Sequence, residues 1–143
     1  MTPSIHPSRA RLLRLFAAAA ASAVLAGCAA FAPDSPEERV RARAQARWDA
    51  LLAGDFEKAY AFLSPGSRGV VSLPQFRNSI GAAASWKSAK VHGVTCQQAD
   101  RCKVTMLVNY TPLLPRPRVG NIETSIDETW LLEQGQWWLP QGL

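Results

Sequence analysis

The chain has little of what common reaction motifs require. Of its 143 residues, two are histidine and three are cysteine. It has no glycine-rich phosphate loop and no metal-binding spacing. No serine sits in a Gly-x-Ser-x-Gly nucleophile turn. These absences remove the motif-based routes to nucleotide hydrolysis, zinc chemistry and serine hydrolysis, and no cofactor is expected. Charge of one sign is scarce as well. The formal charge is +5, but Arg9, Arg11 and Arg14 precede residue 28 and leave 13 basic against 11 acidic residues, or +2. So small an excess gives no argument for nucleic acid binding. No internal repeat or low-complexity tract follows residue 28.

What is present begins with a basic head and an apolar run. Residues 1–14 carry three arginines and no acid, and Leu15 to Ala26 are apolar or small for 12 residues. This matches a secretory signal and is short for a membrane span, which needs roughly 20 residues. The run ends in Leu25-Ala26-Gly27-Cys28, which resembles the lipobox of bacterial lipoproteins. The resemblance implies cleavage before Cys28, a diacylglycerol on its thiol and an acyl chain on its new amino group. Two or more acyl chains anchor a protein stably at a membrane. Ala29 after the cysteine, rather than Asp, implies the outer membrane facing the periplasm. An ordinary signal peptide cut near Ala30 is the alternative.

Residues 1–27 are thus read as the signal, 28–35 as a lipidated tether and 36–143 as one domain, large enough to bury a core. Cys96 and Cys102, close in sequence, suggest a disulfide in an oxidising envelope, with two free thiols as the alternative. A metal site would need further ligands, and the mature chain offers only His92.

The expected order is three helices and then four antiparallel strands. Ser35-Pro36-Glu37-Glu38 is a capping box with proline at the first helical position. The helix it opens carries Val40, Ala44, Trp48, Leu51 and Leu52 on one face and stops at Gly54. Arg39, Arg43 and Arg47 share a neighbouring face, read as solvated with pairs such as Glu37–Arg41; contact with membrane phosphates is the sharper alternative. Asp55 opens a second helix ended by Ser64-Pro65-Gly66, with Arg68–Val71 as a connection. Ser72-Leu73-Pro74-Gln75 opens a third with Phe76 and Ile80. A strand then runs from Ala89 to Cys96, bulged near His92-Gly93. It makes a hairpin with Cys102–Tyr110 across a five-residue loop. Residues 111–118 hold three prolines and read as a loop, in which Arg116 and Arg118 are candidates for docking a partner. Ile122–Glu133 forms a long strand, with Ile122, Thr124, Ile126, Glu128, Trp130 and Leu132 on one face. Gln134-Gly135-Gln136 turns it into a last strand, Trp137-Trp138-Leu139.

Trp48…Leu51-Leu52-Ala53-Gly54-Asp55…Tyr60…Leu63-Ser64-Pro65 is similar to the helical start of the nuclear transport factor 2-like superfamily. Trp130-Leu131-Leu132-Glu133-Gln134-Gly135-Gln136-Trp137 is similar to its closing hairpin. The resemblance implies an α+β cone, with helices on a curved four-stranded antiparallel sheet and a pocket at the open end. Some members, such as steroid isomerases and polyketide cyclases, are enzymes with an acid/base pair inside the cone. No motif of either appears here. The nearest ingredients are Asp127, Glu128, Tyr60, Tyr110 and His92. Glu128 stands out because it interrupts an apolar face. A carboxylate there would work as an acid or base, or pair with Arg47 or Arg77. The expected function is therefore a non-enzymatic, membrane-anchored envelope lipoprotein binding a partner protein or a small apolar ligand. A small isomerase or dehydratase using Asp127 or Glu128 is the alternative.

Overall fold

A computed structural model of the chain describes residues 35–80, 86–112 and 120–141. The lipobox with Cys28, the tether before Ser35, Gly81 with its alanines, and Arg116 and Arg118 lie outside these residues.

Helix α1, Pro36–Leu52, starts as its sequence dictates. The Ser35 hydroxyl accepts from the Glu38 N–H at 3.2 Å, and the Glu38 carboxylate accepts from the Ser35 N–H at 2.9 Å. Each bond satisfies a backbone donor that a helix start leaves free. At its end Gly54 takes a φ of +73°, a left-handed conformation that glycine adopts without strain. Val40, Ala44, Trp48 and Leu51, at helical spacing, are buried.

Three short helices follow: α2, Phe56–Tyr60; α3, Pro65–Val70; and α4, Leu73–Ile80. Helix α3 corrects the sequence reading, which took Ser64-Pro65-Gly66 as an end and Arg68–Val71 as a connection. Ser64 instead caps a new helix, its hydroxyl accepting from the Ser67 N–H at 3.1 Å. Ser72 and Gln75 form the cap of α4.

The sheet is antiparallel in the order β1-β2-β3-β4. Its strands are β1, Trp86–Gln98; β2, Arg101–Tyr110; β3, Ile122–Glu133; and β4, Gln136–Trp138. Strand β1 is longer at both ends than its apolar pattern indicated, and the β1–β2 turn is correspondingly tighter than a five-residue loop. Its register slips between Val91 and Gly93, at the expected bulge. Such slips bend a sheet. Cys96 and Cys102 are register partners and are joined in a disulfide.

The inner face of the curved sheet packs against the helices. Val104, Met106, Val108 and Trp130 are fully buried there, with Phe76 and Leu63 from the helical side. Helix α1 lies against β1. The Gln45 amide donates to Ala89 O and accepts from Val91 N–H, both at 3.0 Å, so one side chain pairs with the free edge of β1. The other end closes where Leu139 bridges Leu63 in parallel. Among the described residues no helix is long and apolar enough to cross a membrane.

Candidate functional site

Between α1, α4 and the inner face of β3 lies a cavity of about 400 Å³. That volume falls within the range of small-molecule sites, roughly 300–1,000 Å³. Trp48 and Trp86 form one aromatic wall, their ring centroids 4.8 Å apart and tilted by 48°. Phe76, Ile80 and Ile126 add apolar surface, and Arg47, Glu128 and Gln141 add polar groups.

The polar centre is built around Glu128. Strand alternation turns Glu128 inward between Ile126 and Trp130, and it is buried. Arg47 and Trp48 reach it from α1. Arg47 Nη1 and Trp48 Nε1 each donate to Glu128 Oε1 at 2.7 Å. Trp130 Nε1, two residues along β3, donates to Oε2 at 3.0 Å. Three N–H donors thus hold one buried carboxylate, and hydrogen bonds to a charged group contribute about 1.5–3 kcal/mol each. Burial pushes the Arg47 guanidinium below its ordinary value, and the neighbouring Glu128 charge opposes that shift. Arg47 Nε is buried without a partner.

This arrangement bears on proton transfer. If Glu128 took a proton, Arg47 would remain as a buried cation without its counter-charge. Uncompensated buried charges cost about 3–5 kcal/mol. The geometry suits a fixed anion better than a base that must cycle.

The other sequence candidates are placed elsewhere. The Asp127 backbone borders the cavity, but its carboxylate is on the outer face of the sheet. It accepts from the Thr105 hydroxyl at 2.7 Å and pairs with Lys103 at 2.7 Å. Those two hydrogen bonds, Lys103 foremost, hold the Asp127 carboxyl below the usual carboxylate range. The Tyr60 hydroxyl faces two carbonyls of the α3 end, Val71 O at 2.7 Å and Arg68 O at 3.2 Å. It latches α3 and does not border the cavity. His92 is exposed on β1, and Tyr110 is half-buried.

The arginine stripe of α1 also divides. The reading as a single solvated face is corrected. Arg39 is exposed, whereas Arg47 is sealed inside against Glu128. Arg43 lies between rings, 5.0 Å from the Phe62 centroid and 5.2 Å from that of Trp138. Arg68 also lies over Trp138, at 5.5 Å. Gln136, with its amide oxygen turned to Arg43, accepts from Nη1 at 2.8 Å and Nη2 at 3.1 Å. Arg41 reaches Val91 O at 3.4 Å, and among the described residues no Glu37–Arg41 pair forms. What the sequence reading missed is that two indole N–H groups converge on Glu128. The signal was a lone acid on an otherwise apolar strand face, next to a tryptophan.

No protein-family model matches this chain, and no curated protein does. Solved structures do. The chain is similar to a SEC-C motif containing protein from Rhodopseudomonas palustris, with a TM-score of 0.52, 15% identity, and 71% of this chain and 75% of that one covered. It is similar also to a SEC-C motif containing protein from Psychrobacter arcticus, with a TM-score of 0.52, 13% identity, and 66% and 54% covered. A protein from Campylobacter jejuni described as an NTF2-like transpeptidase matches with a TM-score of 0.46, 15% identity, and 69% and 94% covered. At such identities the first two likenesses concern fold alone: an α+β domain with helices packed on a four-stranded antiparallel sheet.

Proposed function

We propose that this chain is a bacterial envelope lipoprotein whose cone domain, of the nuclear transport factor 2-like kind, binds a small apolar ligand. The anchor is lipidated Cys28, and the domain faces the periplasm from the outer membrane. The observation that carries the binding reading is the cavity of about 400 Å³ walled by Trp48, Trp86, Phe76 and Ile126. Its one carboxylate is engaged by three donors, which favours holding over turnover. The disulfide Cys96–Cys102 supports an oxidising compartment, where such bonds persist. The lipobox supports the anchor.

Native mass spectrometry of the full chain, made in a bacterial envelope and released from lipid nanodiscs in the spectrometer, tests both parts. The protein mass is expected to carry acyl chains that Cys28→Ser removes. A further small-molecule mass is expected to persist in that variant. A bare domain would turn the search to a protein partner. An enzyme of the isomerase or dehydratase type would require Glu128→Gln or Asp127→Asn to abolish turnover with stability nearly unchanged.

A further inference from the structure

Arg43 and Arg68 come from different helices and lie over one ring. Their Cζ atoms stand 5.2 Å and 5.5 Å from the Trp138 centroid. Phe62 also packs against Arg43, its centroid 5.0 Å away. The two like charges are thus held near each other, where they repel. Both arginines and both rings are half-buried, so water screens the charges only in part. No carboxylate of the described residues pairs with either arginine; the ion pairs there are Arg47–Glu128 and Lys103–Asp127. What Arg43 meets is the neutral Gln136 amide, whose oxygen accepts from both Nη atoms. Glu133, the register partner of Gln136, is exposed and pairs with neither arginine. Partial burial pushes the Arg43 guanidinium below its ordinary value with no acid to offset it, unlike Arg47.

An anion from outside the chain would supply what is missing, and the layout selects its kind. Arg39 is exposed one turn before Arg43, about 6 Å nearer the start of α1. The cations are spread over a surface rather than gathered at a point, which suits many fixed anions better than one soluble ion. Guanidinium forks match phosphate oxygens. The half-buried Trp138 ring suits the boundary of lipid headgroups and acyl chains, where indoles concentrate. The proposed anchor keeps such a boundary close: Ser35 follows Cys28 by seven residues, which span at most about 25 Å.

We propose that Arg39, Arg43 and Arg68, with Trp138, form a surface that docks the domain onto the phosphates of anionic lipid headgroups. This rests on the reading of the chain as a lipid-anchored envelope protein.

The test uses the full chain in two kinds of lipid nanodisc, phosphatidylcholine alone and phosphatidylcholine with phosphatidylglycerol, each doped with a gadolinium-chelating lipid. NMR relaxation is read at the Trp138 indole N–H and at the amide of Thr95, which is exposed on β1 at the opposite edge of the sheet from β4. With phosphatidylglycerol, Trp138 is expected to relax severalfold faster than Thr95; without it, the two should be similar. Gln136→Glu, at an exposed position, gives Arg43 a carboxylate from within the chain. It should cut the Trp138 enhancement about fivefold, the share of one charge at an anionic surface. Arg43→Gln with Arg68→Gln should cut it further. An enhancement equal at Trp138 and Thr95, indifferent to phosphatidylglycerol, or unmoved by Gln136→Glu would overturn the docking. Saturable Trp138 shifts with inorganic phosphate, in discs that give no enhancement, would make the ligand a soluble phosphate and overturn the lipid surface. A chain that elutes apart from both discs would overturn the anchor alone. The docking then stands only if the chain sediments with phosphatidylglycerol vesicles and Gln136→Glu releases it.

Discussion

Glu128 is tied to three nitrogen donors from two elements, so its removal acts on all of them at once. Glu128→Leu is expected to destabilise the domain by about 3–5 kcal/mol, because Arg47 is left as a buried unpaired cation. Urea unfolding of the variant checks this. The paired change Arg47→Met with Glu128→Leu should recover much of the loss, since no charge then remains inside. Asp127 behaves differently. Its carboxyl should titrate below the usual range by NMR, and Lys103→Ala should raise it, because Lys103 is the main cause of the shift. Its contribution to stability is present above the ordinary carboxylate range and fades as pH falls through the lowered value. At this scale the sequence showed that Glu128 was out of place on an apolar face. It also offered Arg47 as one of two partners, and that pair forms, but it did not show the indole N–H groups that join it. Trp48 is 80 positions away, and no local pattern encodes its contact across that separation.

Elements were most legible where local chemistry decides them. The caps of α1 and α4, the bulge at Val91–Gly93 and the limits of β3 follow from capping residues, glycine and alternation. Helix α3 was obscured because Gly66 and Gly69 disfavour helix intrinsically, while the cap at Ser64 and the contacts of Ser67 hold it. The division of the arginine stripe was illegible for another reason: spacing gives the face, but the neighbouring elements decide whether water reaches it. Gln45 shows the same dependence. It pairs with the free edge of β1 at Ala89 and Val91. Gln45→Ala should cost about 1–3 kcal/mol by leaving backbone groups of Ala89 and Val91 unsatisfied. Hydrogen exchange should reveal it first at the Val91 amide, ahead of the core of β2.

The whole molecule is held at two distant places. One is the β1–β2 hairpin, where the disulfide closes a loop with a sequence separation of six, and Leu132 N–H donates to Asp100 O at 2.8 Å. So short a loop limits what the cross-link removes from the unfolded chain. Replacing both cysteines by alanine should therefore cost about 2 kcal/mol, read as a lowered urea midpoint at unchanged slope. The fold class was legible at this scale because it depends on element order. A pocket was expected only through the family resemblance; its lining was not legible, because a cavity is a space left between elements rather than a property of any of them.

The other place is the seam at Leu63–Ser67. Leu139 bridges Leu63 there, and the Gln141 N–H donates to the Ser67 hydroxyl across 74 positions at 2.9 Å. Residues 62–67 are among the earlier parts of the domain to be synthesised, and their partners are among the later. A growing chain that has not yet reached Leu139 cannot shut the seam, and the buried Leu63 remains open to water. Completion of the fold is thereby deferred until after synthesis of most of the domain.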